Sequence, residues 1–159
     1  MREAETVTFG GSGLDRAAAL RARADEIARH SAAPEARLLP VWRGKPLFGS
    51  EGAGWLAMDH PITSEAREAP IFLGLDDGAA RFALDISPWE PDEDPGTLGA
   101  FFDPSEQRHP SLAPDQRFAE LRGQMTRLTP RDAELAATAR ALTGWHATHG
   151  FCARCGERT

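Results

Sequence analysis

The sequence predicts an α+β fold, in which a mixed, mainly antiparallel sheet is flanked by helices. The sheet is indicated by short runs of strand-forming residues, joined by tight turns, between residues 37 and 86. Helices are indicated on both sides of this region by apolar residues that recur every three or four positions. The chain has 159 residues, of which 41% are hydrophobic and 26% charged. This length and composition are typical of one globular domain with its own core.

The first predicted elements precede the sheet. A strand is predicted at Glu5–Phe9, and a Gly-Gly-Ser-Gly turn follows at 10–13. From Leu14 to His30 the apolar spacing predicts a helix, with Ser12 as its N-cap. Pro34 closes this segment.

The next region predicts a hairpin and one more strand. Arg37–Arg43 and Pro46–Phe48 are strand-like runs that flank a turn at Gly44-Lys45. Gly54–Asp59 is a further candidate strand. The glycine-rich stretch before it, at 49–54, is interpreted as a flexible turn.

A second hairpin has the strongest turn signal of the chain. It joins Ile71–Leu75 to Ala80–Ile86 through Asp76-Asp77-Gly78. From Pro88 to Pro114 prolines are frequent, which predicts an irregular connection over the surface. Its acidic run is interpreted as a solvated surface, and residues 96–102 are expected to pack back on the core.

Two helices are predicted to end the domain. The first covers Asp115–Leu128, and the second begins at Thr129 with Pro130 at its first helical position. Gly150 stops the second helix. Its apolar stripe consists of Leu135, Ala139, Leu142 and Trp145, which predicts packing on one side.

Charge and hydropathy exclude several functional classes. A net charge of −6 argues against a dedicated nucleic-acid-binding surface. No apolar run approaches the roughly 18 residues that a transmembrane helix needs, so no membrane partner is expected. The first residues lack the pattern of a secretory signal, and a cytoplasmic location is therefore predicted.

The chemistry of the chain is concentrated in its only two cysteines, Cys152 and Cys155. Two cysteines exclude a disulfide-rich scaffold. The Cys-x-x-Cys-Gly spacing has the form of a zinc knuckle, in which two thiolates reach one tetrahedral Zn²⁺ and a glycine relieves the turn. Since a structural zinc site needs four ligands, this is half of a site.

Several completions of the site remain open. The missing ligands lie downstream of these residues, or they are His146 and His149 at the end of the last helix. Alternatively, two chains share one ion, or the pair acts in dithiol redox chemistry. The downstream completion is favoured, since histidines at a helix C-terminus commonly interact with the free carbonyl groups there.

Other searches for chemical motifs find little. Neither nucleotide-binding glycine loop nor a Gly-x-Ser-x-Gly elbow occurs. Asp92, Glu93 and Asp94 have suitable oxygens for a hard cation, but nothing predicts a rigid element beneath them. The four tryptophans are expected to have packing roles: Trp42, Trp55, Trp89 and Trp145.

One alternative function is a module that binds a nucleotide or an RNA end without catalysis. It would require a basic groove lined with aromatic side chains. The sequence offers Arg37, Trp42, Arg43 and Lys45 near the first hairpin for this purpose.

The last residues carry a resemblance to a known family. The C-terminal segment resembles the junction between domains in NADH pyrophosphatases of the Nudix hydrolase superfamily. The matching residues are Trp145, His149, Phe151, Cys152, Cys155, Gly156 and Thr159, and they follow a helix that contains Ala139-Arg140-Ala141-Leu142. Weaker upstream matches are Leu14-Asp15-Arg16, Leu39-Pro40, Phe72-Leu73-Gly74 and Phe118-Ala119-Glu120-Leu121-Arg122. In that family an N-terminal Nudix-like domain leads into a zinc ribbon, and the catalytic Nudix domain follows.

The resemblance implies three parts: a Nudix-like N-terminal domain at 1–128, a connecting helix at 129–150 and a first zinc knuckle at 151–159. The family's second cysteine pair and its glutamate-rich Nudix box do not occur in these residues. The chain is therefore expected to be the non-catalytic N-terminal portion of a longer enzyme and inactive by itself. Only Cys152 and Cys155 carry over as functional residues, as ligands of a structural Zn²⁺.

For the whole enzyme, the resemblance implies hydrolysis of NADH or NAD⁺ to nicotinamide mononucleotide and AMP. Some family members also remove NAD caps from RNA. Catalysis would use Mg²⁺ or Mn²⁺ held by the Nudix-box glutamates of the catalytic domain. A homodimer is expected.

Overall fold

The computed structural model describes residue 9, residues 12–92 and residues 105–158. The strands are β1 (Arg37–Trp42), β2 (Lys45–Gly49), β3 (Gly52–Ala53), β4 (Leu56–Ala57), β5 (Ile71–Asp76), β6 (Ala79–Asp85) and β7 (Arg117–Phe118). The α-helices are α1 (Ala24–Ser31), α2 (Leu121–Gln124) and α3 (Pro130–Thr148). Single 3₁₀ turns lie at Ala18–Ala22, Pro61–Glu65 and Met125–Arg127. The predictions for 5–8, 10–11 and 93–104 lie outside the described residues.

The seven strands form one mixed sheet, which confirms the α+β prediction. Its main order is β3-β2-β1-β6-β5, while β4 pairs with β1 and β7 pairs with β2. The β1–β6 pair is parallel, and the other strand pairs are antiparallel. The central strand β1 is therefore buried by partners on both edges, and its residues from Leu38 to Trp42 are buried.

Both predicted hairpins form, with one shift of register. The first turn consists of Arg43 and Gly44, one residue earlier than predicted, because Lys45 already pairs with Trp42. Its two residues have φ values of 48° and 79°. In the β5–β6 hairpin, Asp77 and Gly78 have φ values of 49° and 84°. Two consecutive residues with positive φ are typical of type I′ turns, whose twist suits the flanking strands.

The glycine-rich stretch is more ordered than predicted. Gly52 and Ala53 form β3 against the end of β2. The predicted strand at 54–59 is reduced to Leu56–Ala57, since Gly54 instead donates its N–H to the Leu47 carbonyl at 2.8 Å. This bond continues the antiparallel pairing of β3 with β2 by one residue, and β4 begins two residues later.

The predicted helix over 14–30 is wrong in its first half. Residues 12–17, called the N-terminal strap here, lie along β5, and the Asp15 carbonyl accepts the Leu75 N–H at 2.7 Å. The strap ends at Ala17, which has φ 41° and ψ 47°. A 3₁₀ turn and then α1 follow. Pairing with the edge of the sheet satisfies backbone groups there, and it outweighs local helix propensity.

Ser12 is not a helix cap. Its N–H and hydroxyl both donate to the Glu134 carboxylate on α3. The Ser12 carbonyl accepts from the Arg131 guanidinium at 3.0 Å. The strap is thus fixed to α3 at one end and to β5 at the other.

The predicted helix over 115–128 is also wrong. Arg117 and Phe118 form β7 against β2, and only Leu121–Gln124 is α-helical. Phe118 also exchanges backbone hydrogen bonds with Gln107 at 2.7 and 3.1 Å. Its ring is fully buried against Trp42 and Trp89, with centroids 6.4 Å away in both cases. Burial of this ring requires an extended backbone, which overrides the helical spacing.

The last helix begins as predicted. Thr129 accepts the Asp132 N–H at 3.1 Å, and Pro130 occupies the first turn. Leu135, Ala136 and Ala139 are fully buried against the sheet. Trp145 departs from the predicted stripe, because 44% of its surface is exposed. No helix among the described residues is long and apolar enough to cross a membrane.

Gly74 marks a close approach between β5 and the strap. It follows a bulge in β5, has φ 152°, and an added Cβ would lie 2.5 Å from the Asp15 carbonyl oxygen. We expect Gly74→Ala to lower the free energy of unfolding by about 2–4 kcal/mol, since strain and overlap combine. Urea denaturation measures this loss.

Gly78→Ala is the matched control. Gly78 has φ 84°, but nothing lies within 4 Å of an added Cβ. This variant should lose only about 1 kcal/mol, from backbone strain alone. Equal losses in the two variants would contradict the packing of the strap on β5.

Candidate metal centre

The two cysteines lie in a short hairpin directly after α3. The helix ends at Thr148, and the next hairpin is held by a bridge between Phe151 and Arg158. Within it, the Cys152 N–H donates to the Glu157 carbonyl at 2.7 Å, and the Gly156 N–H donates to the Cys152 carbonyl at 2.8 Å. Gly156 has φ 74°, a conformation that glycine adopts without strain. The turn therefore has the glycine that the motif requires.

The hairpin brings both thiols together and activates one of them. Cys152 is half-buried and Cys155 is exposed, and both are free. The backbone N–H groups of Arg154 and Cys155, together with the Cys155 thiol, lower the pKa of the Cys152 thiol. Partial desolvation acts in the opposite direction and is the smallest of these effects on the pKa. Because thiolates are the metal-binding form, the turn favours a soft cation such as Zn²⁺.

These amide donors were not predicted from the sequence. The Cys-x-x-Cys spacing identifies the two side chains that could bind a metal. Backbone N–H groups have no residue-type signal, so only the turn conformation reveals that those of Arg154 and Cys155 point to sulfur.

The structure does not assemble the alternative site with two histidines. Between residues 105 and 158, as in the rest of the described chain, no three metal-ligating side chains cluster. The His149 ring stacks on Trp145 with centroids 5.0 Å apart, and its Nδ1 lies 3.0 Å from the Trp145 carbonyl. His146 packs edge-on against the same indole. Both histidines are thus placed by the helix end and its tryptophan.

The acidic residues suggested as a hard-cation site are only partly described. Asp92 belongs to no metal-binding cluster among the described residues. Glu93 and Asp94 lie outside them. The structure therefore adds nothing in favour of a site at these residues.

The proposed basic groove at the first hairpin is closed. Trp42 is buried and donates its indole N–H to the Trp89 carbonyl at 3.0 Å. Lys45 is 5% exposed, and its ammonium donates to the carbonyl and hydroxyl oxygens of Ser105 at 2.8 Å. Arg43 lies over the Trp42 ring and pairs with Glu90. Within the described part of the chain, these contacts stabilise the fold, and the buried Trp42 ring is not available for stacking.

Arg37 also forms hydrogen bonds with residues next to it in the sequence. Its guanidinium donates to the carbonyl oxygens of Pro34 and Ala36 at 2.6 and 2.7 Å. The packing roles predicted for tryptophans hold for Trp42 and Trp89, and for Trp55, whose indole donates to Asp132 at 3.0 Å. The exposed Trp145 is the exception.

Comparison with known proteins finds similarity over the sheet and most of α3. The family model described as "NADH pyrophosphatase-like rudimentary NUDIX domain" matches residues 35–145. A human protein named "NAD(P)H pyrophosphatase NUDT13, mitochondrial" is 50% identical over 42 residues. That segment is 26% of this chain and 12% of the human protein.

Proposed function

This chain belongs to the family of NADH pyrophosphatase-like rudimentary NUDIX domains, and we propose that it is the non-catalytic N-terminal portion of an NADH/NAD⁺ pyrophosphatase. The match over residues 35–145 is the observation that carries this proposal. The 159 residues contain no Nudix box, the segment whose glutamates would hold Mg²⁺ or Mn²⁺. Those ions would polarise the pyrophosphate in the catalytic domain.

The proposed role of this portion is to position the parts that follow it. We divide it into a Nudix-like domain at 1–128, a connecting helix at 129–150 and a knuckle at 151–159. The first half of α3 packs on the sheet, where Leu135 and Ala139 are buried. Every residue from Gly144 to Gly150 is exposed. The helix thus leads from the core to the cysteines.

We propose that Cys152 and Cys155 are half of a structural zinc site. The lowered pKa of the Cys152 thiol and the glycine turn support this assignment. Zn²⁺ at such a site would stabilise the fold around it and take no part in hydrolysis. Two further ligands would come from residues beyond the knuckle.

The finer properties of the enzyme are proposed from the resemblance. We expect the parent to yield nicotinamide mononucleotide and AMP from NADH, to act also on NAD-capped RNA, and to be a homodimer. A cytoplasmic location is proposed here for this protein, although the human relative is named as mitochondrial.

The proposal predicts that this chain hydrolyses no NADH. After incubation of the purified 159-residue chain with NADH and Mg²⁺, chromatography should detect no AMP above the level without protein. A parallel sample that also contains an active Nudix pyrophosphatase is the positive control for the detection of AMP. AMP formation that rises with chain concentration and co-elutes with the chain in gel filtration would overturn the proposal.

A titration with AMP or NADH tests the alternative of a binding module. Tryptophan fluorescence is the readout, because Trp42, Trp55 and Trp89 report on the sheet and Trp145 on the helix end. The fluorescence should not change in a saturable manner, since the first hairpin is closed by its own contacts. Saturable quenching would favour the binding module.

A further inference from the structure

A groove of about 370 Å³ lies where the end of the N-terminal strap and the turn after it meet α1, β5 and the last part of α3. Its volume is within the range of small-molecule sites. Most of the lining is apolar, and two guanidinium groups complete it. The apolar residues are Ile27, Pro70, Ile71, Phe72 and Leu142, and the two cations are Arg16 and Arg21. The groove therefore combines a hydrophobic wall with two positive charges.

The hydrophobic wall belongs to elements that the core holds in place. Ile27 on α1, Ile71 on β5 and Leu142 on α3 are each partly buried and pack against the core. Phe72 is buried, and its ring lies 5.5 Å from that of Phe82, measured between centroids. The parts of these side chains that remain exposed therefore form an apolar surface on a fixed support. Pockets of this kind, with few polar groups, are typical of sites for small ligands.

The two arginines lack the partners that many arginines of the described chain have. Seven arginines form ion pairs with carboxylates: Arg23, Arg29, Arg43, Arg81, Arg117, Arg131 and Arg140. Arg16 and Arg21 are exposed and make no ion pair or side-chain hydrogen bond with any described residue. Nearby carboxylates have other partners: that of Asp15 accepts a backbone N–H of the strap at 2.8 Å, and that of Asp25 pairs with Arg29 at 3.5 Å. Two positive charges at the groove are thus left without a partner among the described carboxylates.

We propose that this groove binds a small amphipathic anion, in which an aliphatic chain ends in a carboxylate. The chain would lie against Ile27, Ile71 and Leu142. The carboxylate would accept hydrogen bonds from Arg16 and Arg21, since guanidinium groups pair with carboxylates in a bidentate manner. Burial of the chain would supply most of the affinity, and the charged end would fix the orientation.

An aliphatic carboxylate fits the groove better than a nucleotide does. Apart from the two guanidinium groups, the lining side chains are hydrocarbons and have no hydrogen-bonding atom to recognise a base or a ribose. The one aromatic ring of the lining, Phe72, is buried and therefore not open for stacking. Because the net charge of −6 repels anions in general, an anion that binds here requires the local attraction of the two arginines.

The test is an NMR titration of the ¹⁵N-labelled chain with octanoate at low salt, where charge attraction is least screened. Saturable shifts that follow one binding curve are expected for the amides of Ile27, Ile71 and Leu142, which lie on three different elements. Hexanoate should bind roughly tenfold more weakly, because each buried CH₂ contributes about fourfold to the affinity. Octyltrimethylammonium has the same chain with a positive end. It should bind weaker than octanoate by roughly tenfold or more, because attraction becomes repulsion.

Charge reversal by Arg16→Glu with Arg21→Glu should weaken octanoate binding by roughly tenfold or more. Both positions are exposed, so the variant should keep the dispersed spectrum of the folded chain. The matched control reverses two exposed arginines outside the groove, Arg108→Glu with Arg158→Glu, and should leave the affinity within about twofold.

The proposal is overturned if millimolar octanoate causes no saturable shift in the wild-type chain, or if octyltrimethylammonium binds as tightly as octanoate. Equal weakening of octanoate binding in the two double variants would also overturn it. Saturable shifts of the same three amides with AMP would indicate a small-anion site that requires no aliphatic chain, and this result too would contradict the proposal.

Discussion

Replacing Phe118 with alanine should lower the free energy of unfolding by about 3–5 kcal/mol, the range for deleting a large aromatic ring from a core. Phe118 is fully buried. Its ring packs against both Trp42 and Trp89, which also contact each other with centroids 5.5 Å apart. Because typical domains are stable by only about 5–15 kcal/mol, this loss is large. Urea denaturation followed by tryptophan fluorescence measures it.

The same chain contains a control for this change. Phe151 is 68% exposed, and Phe151→Ala should change stability by less than about 0.5 kcal/mol. Phe118→Leu keeps much of the volume and should cost less than Phe118→Ala. A Phe118→Ala variant as stable as Phe151→Ala would show that β7 does not close the core.

The largest effect on metal content is expected from the cysteines. In the longer enzyme proposed above, replacement of both residues (Cys152→Ser with Cys155→Ser) should reduce the zinc bound after exposure to excess Zn²⁺ and gel filtration to background, because two of the four ligands are lost. The melting temperature of the domain should hardly change, since both residues lie outside the buried core. Mass spectrometry of the metal and thermal unfolding provide the two readouts.

A variant of the nearby histidines separates the possible ligand sets. In the same longer enzyme, His146→Ala with His149→Ala should keep the zinc content of the unmodified protein, since neither histidine clusters with the cysteines among the described residues. Loss of zinc in this variant would indicate the local site with two histidines. Zinc retained after both cysteines are replaced would place the metal elsewhere.

Elements with local determinants could be predicted from the sequence. The β5–β6 hairpin depends on a turn whose residues tolerate positive φ, and α3 depends on Thr129 and Pro130 at its start. Both signals lie within a few residues of the structure that they specify. They require no knowledge of the rest of the fold.

The elements that could not be predicted depend on distant partners. Residues 115–128 have helical spacing, yet β7 forms because Phe118 pairs with Leu47 and fills the core. The strap at 12–17 is extended because Asp15 bonds to Leu75. Neither partner is adjacent in sequence, so periodicity alone favours the helix in both cases.

The same distinction between local and distant determinants applies to the candidate site. Spacing alone identifies Cys152 and Cys155, because residue type determines metal preference. The closure of the groove at Trp42 and Lys45 could not be predicted, since it depends on Trp89 and Ser105 across the fold.

The path of α3 sets a fixed geometry for whatever binds the cysteines. An α-helix advances about 1.5 Å and rotates about 100° per residue. Inserting one residue after Thr143, the last buried residue of the helix, would therefore turn the cysteine hairpin to another side of the molecule with little change in its distance from the sheet. The number of residues between the core and Cys152 thus determines the direction in which the cysteine hairpin projects from the molecule.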